Sequence, residues 1–217
     1  MNYNYFIGSY KLDNVESFLD LGVILDNKLR FNLHIESCVN KAKSLLGFIK
    51  RWSKEFDDPY VTKCLFISRP TLEYGCVLWS PFYNIYSKKI ESVQVQFLLF
   101  ALRGLGWNSN ELLPPYENRL KLIDLPTLEK RRLMLRCIFI IKLLRGQIDS
   151  EFLTGEIKFN IPSRITRYYI PLKLTLAKSN YEINNPLRSL CADYNKLYNT
   201  ISLCEPLHVI KNSILRS

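Results

Sequence analysis

The sequence predicts a mainly α fold, in which a small N-terminal antiparallel β-ribbon is followed by a helical bundle and a basic helical C-terminal region. Three observations lead to this prediction. The first 31 residues are rich in β-favouring types, apolar residues recur at helical spacing after residue 32, and the surplus of positive charge is larger in the second half. Of the 217 residues, 47% are hydrophobic and 23% charged, a balance that excludes a disordered chain.

The ribbon is predicted over residues 3–25. Tyrosine, phenylalanine and isoleucine favour an extended chain there, and Gly8-Ser9 has the composition of a turn or bulge. The apolar run 18–25 predicts one buried strand that ends at a turn at Asp26-Asn27. We therefore expect two or three antiparallel strands, too few to be stable without a surface to pack on.

Two amphipathic helices are predicted in the first half. From Asn32, a candidate N-cap, apolar residues follow helical spacing to Ile49, and basic residues lie away from them. The helix predicted over 84–103 has an apolar stripe made of Ile90, Val93, Phe97, Phe100 and Ala101. Between these helices, Asp58-Pro59 predicts a further helix start, and Arg69-Pro70 predicts a break or kink.

Further helices are predicted in the second half of the chain. They are Pro115–Leu122, a helix that starts within 124–127 and continues to Arg145, Pro186–Ile201, and a short tail helix after Pro206. Gly146 is a natural residue to follow a helix end, and the apolar character on nearly all sides of 133–144 predicts burial. Residues 157–176 are expected to be irregular or extended.

Charge and linker composition divide the chain into three regions. A linker is predicted at Gly104, Gly106, Asn108 and Asn110. The regions are 1–31, 32–105 and 106–217. The formal net charge is +10, of which residues 1–110 carry +3 and residues 111–217 carry +7. Such a surplus fits a polyanionic partner such as nucleic acid, although many basic proteins bind none.

The cysteines and the apolar segments limit the classes of protein and site. The six cysteines form no C-x-x-C pair and the chain has two histidines, so we expect reduced, mostly buried thiols and no zinc site. The first residues lack the basic and apolar regions of a signal peptide, and segment 133–144 is too short and too charged to span a membrane. We expect an intracellular protein, nuclear or cytoplasmic, with no membrane contact.

No catalytic motif is evident. The chain has no phosphate-binding glycine loop, dinucleotide fingerprint or nucleophile elbow. Asp57-Asp58 is better explained by helix capping before Pro59 than by two-metal chemistry, and His34 by packing or a helix surface than by a general base. The tryptophans Trp52, Trp79 and Trp107 and the Tyr86 region could stack on bases, but core packing is the simpler interpretation.

Several segments, taken in order, resemble a known family. They are Leu21–Phe31 followed by His34-Ile35, Lys41-Ala42 with Leu46–Arg51, Arg69–Tyr74 with Trp79–Pro81, Ile90–Gln94 with Phe97-Leu98, Leu113–Leu120, and Leu125–Arg132. Their order and spacing resemble the region downstream of the catalytic palm motifs in non-LTR retrotransposon reverse transcriptases, most closely the jockey-like branch. The resemblance covers most of residues 18–146 and fades beyond about residue 190.

The resemblance implies a C-terminal part of an RNA-directed DNA polymerase. Residues 1–31 would end the palm and pack against its missing remainder, 32–105 would form a thumb-like region, and 106–217 the basic region beyond. The implied partner is an RNA or DNA template–primer duplex, held mainly through its phosphates. The residues expected to contact it are Lys41, Lys43, Lys50, Arg51, Lys88 and Lys89.

The resemblance also implies that Leu21, Gly22 and Val23 form the strand near the primer terminus. There Gly22 would allow a ligand or another backbone to approach closely. An ordinary tight contact between strands is the alternative explanation.

Two departures from the family pattern matter. The paired-aspartate motif that holds the two catalytic metals is absent, because the chain begins after the position where it would lie. We therefore expect no catalytic or metal-binding residue and no cofactor in this chain, with Mg²⁺ implied only for the intact parent enzyme, and no polymerase activity. Segment Leu65–Pro70 is also two residues shorter than the family pattern, which would rotate a helix face by roughly 200°.

Two other classes of function remain open. The chain could be a non-enzymatic helical module that binds nucleic acid or protein, or a non-functional translated remnant. Phosphate binding weakens steeply as salt rises, which distinguishes a nucleic-acid binder from a protein scaffold.

Overall fold

The fold is mainly α with two small antiparallel hairpins near the N-terminus, as the sequence predicts. A computed structural model describes residues 4–52, 69–104, 113–161, 164, 169–174 and 176–216. The strands are β1 (Phe6–Ile7), β2 (Tyr10–Lys11), β3 (Ser17–Asp20) and β4 (Val23–Asp26). The helices are α1 (Asn32–Trp52), α2 (Asn84–Gly104), α3 (Tyr116–Leu122), α4 (Leu128–Leu144), α5 (Glu151–Glu156), α6 (Asn180–Ile183), α7 (Pro186–Leu197) and α8 (Leu207–Arg216).

The prediction of a single buried strand over 18–25 is wrong, because the chain reverses direction in the middle of this segment. β3 and β4 pair antiparallel, with Asp20 opposite Val23. Leu21 and Gly22 form the two-residue loop, with φ angles of 44° and 82°. A two-residue hairpin loop with positive φ at both positions matches the right-handed twist of the strands, and Gly22 adopts that conformation without a steric cost.

The first hairpin follows the predicted turn. β1 and β2 are also antiparallel, with Ile7 opposite Tyr10 and Gly8 at a φ of 61° in the turn between them. Gly8-Ser9 is therefore a turn rather than a bulge.

Asp26, rather than the predicted N-cap Asn32, organises the start of α1. The Asp26 carboxylate accepts hydrogen bonds from the backbone N–H groups of Lys28 (3.0 Å), Arg30 (3.1 Å) and Phe31 (2.6 Å). Asn32 is the first residue of the helix, and its buried Oδ1 has no hydrogen-bond partner among the described residues. One carboxylate thus accepts hydrogen bonds from three of the backbone N–H groups in the turn that precedes the helix.

A first hydrophobic core joins the β3–β4 hairpin to α1, α2, α3 and the first turn of α4. It is built around Val23, Ile35, Leu46, Trp79, Ile90, Phe97 and Leu128. α1 and α2 run in the same direction, as two contacts show. Lys89 near the start of α2 contacts Glu36 near the start of α1, and Phe100 near the end of α2 lies by Lys50 near the end of α1. The predicted apolar stripe of α2 faces this core, with Phe100 half-buried at its edge.

A second core is centred on α4. From Met134 onwards this helix packs against α7 and α8, and its apolar side chains are joined by Tyr194, Ile210 and Ile214. The predicted signals at both ends of α4 are confirmed: the Thr127 hydroxyl accepts from the Lys130 N–H at 3.1 Å, and Gly146 has a φ of 67°. α4 therefore belongs to both cores, so the division between them lies within a helix.

The remaining C-terminal predictions hold with shifted ends. The helix predicted to reach Ile201 ends at Leu197, and the tail helix after Pro206 is α8. In the segment predicted as irregular or extended, Phe159 and Leu172 form an isolated antiparallel bridge. Several sequence predictions lie outside the described residues, namely those for Asp57 to Pro59, Cys64, Leu65 to Ser68, Gly106, Trp107, Asn108 and Asn110.

Candidate nucleic-acid interface

The edge between α1 and α2 brings three of the predicted phosphate contacts together. Lys89 Nζ donates to Glu36 Oε1 at 2.7 Å and lies 5.0 Å from the centre of the Tyr86 ring. Lys50 Nζ lies 6.0 Å from the centre of the Phe100 ring. Lys43 is exposed and seven residues from both Glu36 and Lys50, so it shares their edge of α1. We call Lys43, Lys50 and Lys89 the α1–α2 edge.

The other predicted cations do not extend this edge. Lys41 and Lys43 are about 200° apart around α1, which directs their side chains to opposite flanks. Arg51 and Lys88 are turned about 100° around their helices from Lys50 and Lys89. Lys41, Arg51 and Lys88 are all exposed. The six residues therefore form one short edge and three separate positive charges, and within the edge the charge of Lys89 is compensated by Glu36.

Lys41 lies on the same flank of α1 as His34, seven residues earlier. His34 is 2% exposed, its Nδ1 accepts from the Ile24 N–H at 3.3 Å, and its ring meets that of Trp79 edge-on at 5.1 Å between centroids. Burial, and secondarily the charge of Lys41, lowers the pKa of His34. His34 therefore joins α1 to β4 as a neutral imidazole.

The segment implied to be the primer-proximal strand is the tip of the second hairpin. Leu21 and Gly22 form its loop, and only Val23 belongs to a strand and is buried. The Tyr74 hydroxyl donates to the Leu21 carbonyl at 2.8 Å, and a Cβ placed on Gly22 would lie 3.5 Å from the Tyr74 ring. The Tyr74 ring thus lies at ordinary van der Waals distance from a Cβ at this position, and the positive φ of 82°, rather than crowding, favours glycine there.

Polar residues of the family-like segments contact one another. Glu73 of the 69–74 segment forms a bidentate ion pair with Arg131 of the 125–132 segment, with an Arg131 Nη2 to Glu73 Oε2 distance of 2.9 Å. Glu91 accepts from the Tyr116 hydroxyl and, at 3.1 Å, from the Leu128 N–H. These contacts connect the segments that contain them.

One more contact of this kind joins α2 to the start of α4. Gln94 Nε2 donates to the Pro126 carbonyl at 2.9 Å, and Gln94 is 2% exposed. The amide therefore fixes the turn that precedes α4 against the buried face of α2. The contact joins two residues that are 32 positions apart in the sequence.

Two buried arginines of α4, Arg132 and Arg136, are not among the predicted site residues. Arg132 is 2% exposed and Arg136 is 1% exposed, although arginine is rarely buried so completely. The signal available in the sequence was two basic residues four positions apart, at and within the most apolar stretch of the chain.

The described cysteines are all free thiols, and most of them are buried. Cys38, Cys76, Cys137 and Cys191 are buried free thiols, and Cys204 is an exposed one. Burial raises the pKa of Cys76 to about 11 and of Cys137 to about 12, which keeps both protonated near neutral pH. Within the described part of the chain, no group of three or more His, Cys, Asp or Glu side chains is placed to hold a metal ion.

The apolar character of the helices and the comparisons with other proteins add no further class of function to those considered above. Across the residues that the structure describes, no helix has the length and apolar character required to cross a membrane. Comparisons with models of protein families, with curated proteins and with solved structures found no match to this chain.

Proposed function

We propose that this chain is a C-terminal part of a non-LTR retrotransposon reverse transcriptase, which binds a template–primer duplex and does not itself polymerise. The observation that carries the proposal is the ordered series of family-like segments between residues 21 and 132. The formal charge of +10 is the second support, because a duplex is bound mainly through its phosphates.

The contacts among the segments support a shared fold over a chance similarity of short strings. Glu73 and Arg131 lie in different segments, yet each would leave a largely buried charge unpaired if the other were lost. Loss of Glu91 would likewise leave the Tyr116 hydroxyl and the Leu128 N–H, at the start of α4, without their acceptor. A family with this pattern of residues would be expected to share these contacts.

The α1–α2 edge is our candidate for the phosphate contact. Lys43 is exposed, which leaves its ammonium group accessible to phosphate, and Lys50 is half-buried with its Nζ over the Phe100 ring. Lys89 contributes less net charge because it is paired with Glu36. Of Lys43 and Lys89, the exposed Lys43 therefore contributes more to the proposed contact.

The N-terminal ribbon supports the part of the proposal that places a protein neighbour on residues 1–31. All four residues of β1 and β2 are exposed, and Tyr5, Phe6, Ile7 and Tyr10 are each more than 60% exposed. Contiguous exposed apolar groups of this kind mark interaction surfaces in proteins. We propose that the remainder of the palm covers them.

Binding to a labelled RNA–DNA template–primer over a range of salt concentrations tests the proposal. We expect the logarithm of the affinity to fall linearly with the logarithm of salt concentration. In the Lys43→Gln/Lys50→Gln variant, the slope should become shallower by up to about 2, because each phosphate contact contributes about 0.9. The matched control is Lys178→Gln/Lys211→Gln, which removes the same charge from exposed positions away from the edge.

Two results would contradict the proposal. One is the absence of duplex binding at low salt, and the other is an equal change of slope in both double variants, which would indicate a response to net charge alone. Metal-dependent nucleotide incorporation in a primer-extension assay would contradict the expectation that the chain does not polymerise.

A further inference from the structure

An ion pair joins α1 to α2 within the surface proposed above to contact phosphate. Lys89 Nζ donates to Glu36 Oε1 at 2.7 Å, and both side chains are a little less than half exposed. Glu36 is the one acidic residue in the sequence of α1, which also contains four lysines and arginines. The single carboxylate of this helix is therefore bound to a lysine of the α1–α2 edge.

The stability of the fold depends little on this pair. Water reaches both charged groups, and ion pairs of this exposed kind stabilise proteins only slightly. The two helices are joined instead through the first core, where Ile35 of α1 and Ile90 of α2 are fully buried. Removal of the pair should therefore leave the packing of α1 on α2 intact, and stability does not explain why a carboxylate lies here.

A second contact fixes Lys89 at the edge. Its Nζ lies 5.0 Å from the centre of the Tyr86 ring, a distance at which the face of an aromatic ring attracts a cation. The hydrogen bond to Glu36 raises the pKa of Lys89, so the ammonium group stays charged. An ammonium group has three N–H donors, so a phosphate can take the place of Glu36 while the Tyr86 ring continues to hold the cation.

Glu36 competes with phosphate for the same ammonium group. Carboxylate and phosphate oxygens are both strong acceptors for a lysine, and their negative charges repel each other at short range. Glu36 also lies seven residues before Lys43 on the same edge, about 10 Å along the helix axis. That separation is comparable to the Debye length in physiological salt, so the carboxylate also weakens the attraction of Lys43 for phosphate.

We propose that Glu36 is an autoinhibitory counter-ion of the α1–α2 edge. By holding Lys89, it keeps this cation from contacting the nucleic-acid backbone and lowers the affinity of the edge for a duplex. The inference rests on the function proposed above, because it concerns the regulation of the same surface. Its consequence is that the native chain contacts fewer phosphates than its lysines would allow, so a bound duplex is released more readily.

The Glu36→Gln variant of the full chain tests this proposal with the same labelled RNA–DNA template–primer. Glutamine keeps the size of the side chain and removes its charge. At about 50 mM salt, we expect the variant to bind about threefold more tightly or better than the native chain. The plot of log affinity against log salt should steepen by up to about 0.9, the contribution of one further phosphate contact. Tm should change by less than about 4 °C, because the pair is exposed.

Two controls separate the release of Lys89 from a change of net charge. Glu151→Gln removes the same charge from an exposed position on α5, and it should leave the slope of the salt plot unchanged. In a Lys89→Gln background, Glu36→Gln should likewise leave the slope unchanged, because no ammonium group is there to be released. A steeper slope is thus expected only where Glu36 is lost and Lys89 is kept.

The outcomes distinguish this inference from the function on which it rests. If the native chain binds the duplex in a salt-dependent way and Glu36→Gln neither binds more tightly nor steepens the slope, the inference alone is overturned. The inference is also overturned if Glu151→Gln steepens the slope equally, or if the steeper slope persists without Lys89. A lower Tm with weaker binding in Glu36→Gln would overturn it as well, because the carboxylate would then have a structural role. If neither the native chain nor Glu36→Gln binds at low salt, the proposed function fails too.

Discussion

The two N-terminal hairpins have nearly the same architecture and very different surroundings. β1–β2 pairs two residues with two, and all four are exposed. β3–β4 pairs four with four, and Val23 at its turn is 3% exposed within the first core. A two-stranded hairpin is marginal in water, so the position of each depends on what it contacts.

The β3–β4 hairpin is held in place by contacts from two other segments. Tyr74 holds the Leu21 carbonyl, His34 accepts from the Ile24 N–H, and a Cβ on Gly75 would lie 3.1 Å from the Val23 side chain. These contacts balance a local cost, because a leucine in the left-handed region is disfavoured by about 1–2 kcal/mol. β1–β2 has no comparable burial, and the difference shows that tertiary contacts position a hairpin of this size.

The largest effect is expected from Asp26→Ala, which removes the acceptor between β4 and α1. Three backbone N–H groups lose their partner, so the free energy of unfolding should fall by about 1–3 kcal/mol. Urea denaturation measures the change. Asp20→Ala makes the same substitution in β3, where the side chain is exposed and forms no side-chain hydrogen bond with the described residues, and should have a smaller effect. Equal losses in both variants would contradict the assigned role of Asp26.

The sequence predicts elements well where local signals agree with tertiary packing. α4 has an apolar pattern, a threonine at its start and a glycine after its end. Its predicted end, Arg145, is one residue beyond the observed end, and its start was predicted within the four residues before Leu128. The apolar run 18–25 carries no such agreement. Within this run Val23 is buried in the core, whereas Leu21 is 84% exposed. A run of apolar letters cannot show that the chain turns back within it.

The candidate site was less predictable than the fold for a similar reason. The prediction places lysines by their distance from the apolar stripe, and this distance does not distinguish the two flanks of a helix. Lys41 and Lys43 are both far from the stripe but lie on opposite flanks, because two residues turn the helix by about 200°. Pairing of Lys89 with Glu36 depends on the arrangement of α1 and α2, which single-helix patterns do not contain. The burial of Arg132 depends likewise on α4 being central to two cores.

A smaller effect is expected from Tyr74→Phe, which keeps the ring beside Gly22 and removes the hydroxyl. The hydrogen bond to the Leu21 carbonyl is solvent-exposed, so its loss should lower the free energy of unfolding by about 0.5–1 kcal/mol. Amide hydrogen exchange at β3 and β4 should accelerate more than exchange in α4, because the tip of the hairpin loses its attachment. Tyr83→Phe is the control, since Tyr83 is exposed and its hydroxyl forms no hydrogen bond within the described part of the chain. A change of the same size in both variants would show that the Tyr74 contact does not hold the hairpin.

The smallest effect on stability is expected in the first hairpin. Replacing Phe6, Ile7 and Tyr10 together by threonine, which keeps β propensity, should change the free energy of unfolding by less than about 0.5 kcal/mol, because these side chains are exposed in the isolated chain. The same variant should self-associate less at high concentration, measured by light scattering, because it removes exposed apolar surface beside an unpaired strand edge. A loss of 2 kcal/mol or more would mean that β1–β2 is packed in solution, and the contrast between the two hairpins would then fail. Unchanged association would instead place the adhesive surface elsewhere and remove the ribbon's support for a protein neighbour.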